Sequence, residues 1–359
     1  MSLLPAPWTS ETPSHSTDHH NLTRSNPINS VARHLVLRSL ETLDHGLIHI
    51  IEGGQRRSFG RPADGLEATI QMFHPAVYRR ILIGGNLGAS EGLMAGEWTC
   101  DDLVALCRIL IRYEQRHRSQ NPWMTRLLRP ATHFYHALRR NTRHGSRRNI
   151  AAHYDLGNDF YRLFLDERMM YSSAIFPDQN STLEEASKFK LERICQKLEL
   201  SPKDHVLEIG TGWGGFAIHA ADTYGCRVTT TTISQQQYHL ATERVAAAGL
   251  SDQVTVLLQD YRDLEGEYDK IVSIEMIEAV GAQFVPVFLQ RCAALLKSHG
   301  RMLLQGITIA EWAFERHVRS VDFIKRYIFP GSTLISIGSV AAAAATTDLR
   351  FAHVEDIGL

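Results

Sequence analysis

Residues 206–214 read Val-Leu-Glu-Ile-Gly-Thr-Gly-Trp-Gly, an apolar strand that runs into a turn with glycine at every second position. Gly210, Gly212 and Gly214 can adopt positive φ and let backbone amides come close to a ligand. At the carboxyl end of a parallel strand, such a turn lies where a nucleotide-like group binds. Four further strand-like runs follow, at 227–234, 254–259, 270–274 and 301–305, separated by helical stretches. That alternation predicts βαβ units and a parallel sheet.

A glycine turn alone does not identify the ligand. A dinucleotide fold places Asp or Glu about 20 residues further on, for a ribose hydroxyl. Here the second strand is Arg-Val-Thr-Thr-Thr-Thr-Ile-Ser and holds no acid. The third strand ends in Asp260-Tyr261, which offers a carboxylate to an exocyclic amine and a ring face to an adenine. The fourth runs into Glu275-Met-Ile-Glu278. Together these features favour S-adenosyl-L-methionine over NAD, on an α/β, Rossmann-like class I methyltransferase sheet with a smaller N-terminal α+β domain.

The 359 residues suit two domains, and the 44% apolar content is ample for their cores. Residues 1–30 are rich in Ser, Thr, Pro, Asn and His and read as a disordered tail. An N-terminal domain is expected over 31–115. In it, 84–88 (Gly-Gly-Asn-Leu-Gly) reads as a turn, and Asp101-Asp102 caps an amphipathic helix over 103–111. Between 115 and 154 there is no Asp, Glu or Lys but there are nine arginines, interleaved with Trp123, Phe134 and Tyr135. This stretch, bounded as 116–148, reads as a solvated linker, as an interfacial segment on anionic head groups, or as an RNA-binding arm without its module. The methyltransferase domain spans 149–359.

A net charge of −1 gives no field to draw nucleic acid. The five cysteines, Cys100, Cys107, Cys195, Cys226 and Cys292, lack Cys-x-x-Cys spacing and read as small buried thiols in a reducing cytoplasm. No metal is expected, because none of the eighteen histidines shows ligand spacing. No membrane span or signal peptide is visible.

The block 153–161, His-Tyr-Asp-Leu-Gly-Asn-Asp-Phe-Tyr, and Met-Tyr-Ser-Ser-Ala-Ile-Phe at 170–176 resemble the cyclopropane-fatty-acyl-phospholipid synthase family, mycolic acid cyclopropane synthases included. So do Gly-Thr-Gly-Trp-Gly-Gly at 210–215, Ser-Ile-Glu-Met-Ile-Glu-Ala-Val-Gly at 273–281 and Asp-Phe-Ile-Lys-Arg-Tyr-Ile-Phe-Pro-Gly at 322–331. Residues 88–98 resemble the family's N-terminal domain.

The resemblance implies that Tyr171 and Ser172 close over the cofactor. Glu208 and the glycine turn would hold its methionine part, Thr232, Ile233 and Gln237 would lie near the ribose, and Tyr261, beside Asp260, would face the adenine. It also implies a bicarbonate ion as base, contacted by Ser173, Ile274, Glu278 and Gln305. In some relatives the Ser173 position is Cys and the Gln305 position is His. Leu-Ile-Ser at 334–336 departs from the family's Leu-Pro-Ser. The chemistry would be addition of a sulfonium methyl to an alkene, then loss of a proton from the new methyl so that a ring closes. Tyr171, Phe176, Phe323 and Tyr327 are candidates to stabilise the intervening cation.

Against the family pattern, the chain ends within 354–359, read as a sixth strand, before the helices and seventh strand that carry a tyrosine and a cysteine. An incomplete C-terminus predicts an exposed sheet edge and self-association, or a homo-oligomer whose second copy completes the site. Three functions stay open: cyclopropanation or methyl branching of unsaturated phospholipids by a cytoplasmic, peripherally membrane-associated enzyme; a non-catalytic relative that binds cofactor or membrane; and methylation of a small soluble substrate.

Overall fold

The structure is a computed structural model that describes residues 27–116 and 157–358. The expected N-terminal tail up to residue 26, the arginine-rich segment beyond Arg116 and the first residues of the 153–161 block lie outside the described residues. The chain divides into two compact units, 1–125 and 126–359.

In the first unit, helix α1 (Pro27–Leu40) precedes strands β1 (Gly46–Glu52), β2 (Gln55–Arg61) and β3 (Glu67–Met72). Helix α2 (Ala76–Met94), the short β4 (Trp98–Cys100) and helix α3 (Leu103–Arg116) follow. The sheet order is β2-β1-β3-β4, with β1 antiparallel to β2 and parallel to β3. Asp102 caps α3 as expected, its carboxylate accepting from the Ala105 amide at 2.8 Å. The 84–88 stretch is not a turn between elements. It lies inside α2, which kinks where Gly85 takes φ 55° and ψ −133° and then resumes. Leu87, just past the kink, is buried.

In the second unit the described residues form one five-stranded parallel sheet, ordered β7-β6-β5-β8-β9. The strands are β5 (His205–Ile209), β6 (Arg227–Thr232), β7 (Val254–Leu258), β8 (Tyr268–Ile274) and β9 (Leu296–Gln305). Helix α4 (Asn158–Arg162) and helix α5 (Leu183–Leu198) precede them. The crossovers run through α6 (Gly215–Tyr224), α7 (Gln235–Ala247) and α8 (Val285–Leu295), and α9 (Glu311–Val318) and α10 (Ile337–Ala344) come after β9.

Alternation along β5 divides the core between the sheet's two faces. Val206 packs with Leu191, Ile194 and Phe216 of α5 and α6. Leu207 and Ile209 pack with Phe288, Leu289 and Cys292 of α8. Chain order reverses at β5, with β6 on one side and β8 on the other. That crevice, at the carboxyl ends of the strands, is where parallel sheets bind ligands.

Residues 350–358 form no strand, contrary to the expectation for 354–359. Asp, Glu and Gly are poor strand formers, and the Glu355 carboxylate is held by Arg193 and Lys197 of α5 rather than aligned along β9. Of the cysteines, Cys195, Cys226 and Cys292 are buried, Cys100 is partly so, and Cys107 is exposed on α3. No described helix is long and apolar enough to cross a membrane.

Candidate functional site

The glycine turn is built as its sequence demands. Gly210, Gly212 and Gly214 have φ of 107°, 52° and 86°. The amides of Gly210 and Thr211 donate to the Thr231 carbonyl at 3.1 and 3.0 Å, which ties the turn to β6. A Cβ on Gly210 would stand 3.0 Å from Cβ of Met276, whereas one on Gly212 would meet nothing within 4 Å. The turn is therefore packed at its start and open at its middle. Arg244 of α7 clamps the segment that precedes it, donating to the carbonyls of Arg168 and Trp213 at 2.9 Å each.

The acid-free strand β6 spends its hydroxyls on neighbours. Thr229 pairs with His205, Thr230 donates to Glu208 at 2.6 Å, Thr231 donates to the Gln259 carbonyl at 2.6 Å, and Thr232 donates to Gln237 at 2.7 Å. β-branched residues thus line a central strand with no unsatisfied oxygen. Glu208 lies wholly in the sheet, and burial pushes its carboxyl up to about 8.

An open cleft of about 580 Å³ runs along these strand ends. Gly210, Thr232, Ile233, Asp260 and Tyr261 line it together with Met276. Gln237 reaches this group through Thr232, and Glu208 lies beneath it with Thr230. Both carboxylate oxygens of Asp260 engage the guanidinium of Arg262, at 2.8 and 2.7 Å. Arg262 in turn lies over the Tyr261 ring, and burial pushes the Tyr261 phenol up to about 12. The Arg262 partner was not apparent from sequence, although an arginine two residues after the acid was its signal.

A second group forms one turn away, on the loop after β8. Glu275 accepts from the Ser173 amide and from Nε2 of Gln305, each at 2.9 Å. Glu278 is buried. One oxygen accepts from the Ile307 amide, and Oε2 has no partner among the described residues. Burial, with the Glu275 charge beside it, pushes the Glu278 carboxyl up to about 7. Ile274 ends β8 in register with Gln305, and its side chain packs against the core. Lys190 of α5 is fully buried and donates to the Ser172 hydroxyl at 2.6 Å. Burial holds its ammonium down at about 8, against the favourable charges of Glu275 and Asp166.

Sequence reading passed over both Glu275 and Lys190. A second carboxylate three residues before Glu278, and a lysine on the apolar stripe of α5, were the available signals.

Aromatic rings flank this group. Tyr171 stacks on Phe329 at 6.3 Å and meets Tyr161 edge-on, and Tyr161 lies against Trp213 of the glycine turn. Phe329 is delivered by a π-helical turn, Ile324–Ile328, a form common at functional sites. Phe323 and Tyr327 pair with each other at 5.3 Å, and Phe176 is exposed. Acids and ring faces together suit a cationic ligand and a cationic intermediate.

A parallel sheet with a glycine turn at its reversal point, an acid-aromatic third strand and a cleft between them define the class I methyltransferase fold. Solved structures that match it at TM-scores above one half include two cyclopropane synthases. One is the cyclopropane synthase MmaA2 from Mycobacterium tuberculosis, 30% identical with TM-score 0.54, covering 58% of this chain and 76% of that one. The other is the mycolic acid cyclopropane synthase CmaA1 complexed with SAH and CTAB, 32% identical with TM-score 0.55, covering 59% and 77%.

The family model for mycolic acid cyclopropane synthetase matches residues 141–359, and the chain belongs to that family. Among curated relatives, the tuberculostearic acid methyltransferase UfaA1 of M. tuberculosis is 38% identical over 74% of this chain. The cyclopropane-fatty-acyl-phospholipid synthase of Escherichia coli K12 is 36% identical over 77% of this chain and 69% of its own length. A sphingolipid C9-methyltransferase of Komagataella phaffii is 33% identical over 58% of this chain. The chain spans 63% of the length of UfaA1 and 54% of a probable fatty acid methyltransferase of Pseudomonas putida.

Proposed function

We propose that this chain transfers a methyl group from S-adenosyl-L-methionine to the double bond of an unsaturated phospholipid acyl chain, forming a cyclopropane ring. The observation that carries the reading is the juxtaposition on the loop after β8. Met276 lines the cleft of the glycine turn, while on either side of it Glu275, whose charge reaches Tyr171, and the buried Glu278 hold carboxylates. Names among the relatives support a lipid substrate.

In this reading Gly212 and the open middle of the turn receive the methionine part. Thr232, Ile233 and Gln237 face the ribose, and Tyr261 flanks the adenine. Bound S-adenosyl-L-methionine supplies an electrophilic methyl group. The chain's own residues orient it, exclude water and stabilise positive charge, with Tyr171 and Phe329 offering ring faces. Glu278, poised near neutrality, can hold or release a proton. Peripheral membrane association and a cytoplasmic site of action go with a phospholipid substrate.

A methyl-branched product is the second reading, favoured by UfaA1 and the sphingolipid methyltransferases among the relatives. Mass spectrometry of lipids from cells expressing the chain, fed methionine with a deuterated methyl group, tests both. Ring closure removes a deuteron from the transferred methyl, whereas branching need not. Unchanged lipids, with methyl transfer to a soluble compound instead, would refute the lipid reading.

A further inference from the structure

Ser173 and Gln305 are two of the contacts that family resemblance assigns to bicarbonate, and here the Ser173 amide and Gln305 Nε2 are both engaged within the chain, which leaves the exposed Ser173 hydroxyl with only a 3.5 Å contact to the Ala174 carbonyl. A single oxygen, Oε1 of Glu275, takes the Ser173 amide and Gln305 Nε2 at 2.9 Å each. The Glu275 amide also donates to the Gln305 carbonyl at 2.8 Å, so the residue is anchored through backbone and side chain alike. It holds φ 47°, a left-handed conformation rare outside glycine. Strain of that kind persists where surrounding contacts over-determine the conformation, as they do at functional sites.

A bicarbonate oxygen within reach of the same two donors would have to occupy the position of Oε1 itself. It would also bring a second negative charge against Glu275 and beside Glu278. At these two donors Glu275 Oε1 already stands where an oxygen of bicarbonate would bind.

We propose that Glu275 replaces the external ion as the built-in base of this chain, a role that rests on the methyl-transfer reading above. After methyl addition the acyl chain carries a cation on the neighbouring carbon. A C–H bond of the new methyl breaks, its electron pair closes the ring onto that carbon, and the proton passes to the Glu275 carboxylate. Glu275 becomes the neutral acid and returns the proton to water. No further reactant is needed. Ser173 and Gln305 hold the carboxylate in place, and Lys190, bonded to Ser172 next to Ser173, supplies compensating positive charge nearby.

The test uses the purified full chain and 13C-labelled bicarbonate, followed by NMR line broadening and calorimetry. The wild type is expected to show no saturable bicarbonate binding. Glu275→Gly, which suits the local φ, is expected to acquire it. Saturable binding to the wild type, or none to a folded Glu275→Gly, overturns the proposal.

A second arm measures turnover on vesicles of unsaturated phosphatidylglycerol in bicarbonate-depleted buffer. Wild-type turnover should be indifferent to added bicarbonate. Glu275→Gln should lose about 10²-fold or more while keeping its affinity for S-adenosyl-L-methionine. Glu275→Gly should be partly rescued by bicarbonate. Stimulation of the wild type by bicarbonate overturns the proposal. If the wild type yields no lipid product, the lipid reading falls, and the binding arm still decides whether Glu275 holds the ion's place.

Discussion

Across the β5–β6 ladder, the Thr230 hydroxyl donates to the Glu208 carboxyl at 2.6 Å, and the same hydroxyl lies 2.8 Å from that of Thr211. A carboxyl at the centre of the sheet is thereby joined to the glycine turn. Burial outweighs that single bond and raises Glu208 from 4.5 to about 8. A raised folded-state value favours the neutral acid. The stability it contributes is present below pH 4.5 and is lost as pH rises towards 8. Glu208→Gln removes the titration. Urea unfolding should show the variant gaining on the wild type between those values, with a difference in slope approaching about 1.4 kcal/mol per pH unit. A pH-independent difference would contradict the burial argument.

The glycines of the turn should separate by function. Gly210→Ala forces a Cβ within 3.0 Å of Met276 at φ 107° and should destabilise the fold by about 1–3 kcal/mol. Gly212 has open space around its Cβ direction. Gly212→Val meets no neighbour but is strained at φ 52°, which should cost about 1–3 kcal/mol, and it should weaken S-adenosyl-L-methionine binding to the folded protein by about tenfold or more, a loss of about 1.4 kcal/mol. Calorimetry giving equal affinity in that variant would remove the methionine part from the turn.

Glu278 carries the clearest kinetic signature. With its carboxyl raised to about 7, turnover should bend near that pH. Glu278→Gln should abolish the bend and lower turnover by about 10²-fold, with cofactor affinity held. A pH profile that keeps the bend in the variant would assign it to another group.

The arginine-rich segment is tested on membranes. Full-length chain should co-sediment with anionic vesicles, more weakly as salt rises. Replacing Arg139, Arg140 and Arg143 together should reduce binding. Indifference to lipid charge and to these replacements would leave the segment a linker.

Much of this molecule can be read without coordinates. The alternation of strand-like runs with helical stretches determines a parallel sheet, because a helix between consecutive strands supplies the crossover that parallel pairing requires. The glycines at 210, 212 and 214 determine the turn, because only residues without a Cβ take such dihedrals readily. Asp102 determines where α3 starts, since its carboxylate satisfies an otherwise orphaned amide. These are local constraints, and local sequence states them.

Partnership across the chain needed the tertiary structure. Glu275 and Glu278 sit three residues apart in one motif, yet one accepts from Ser173 and Gln305 and the other from Ile307. Ser173 is 102 residues from Glu275 in sequence. Ile307 contributes a backbone amide, which no side-chain pattern can announce. Lys190 reads as an ordinary helix lysine until packing closes over it. The 354–359 run reads as a strand until Glu355 finds Arg193 and Lys197. Hydrogen bonds and buried charges depend on which distant segments meet and on how much water is left between them, and only the folded chain settles both.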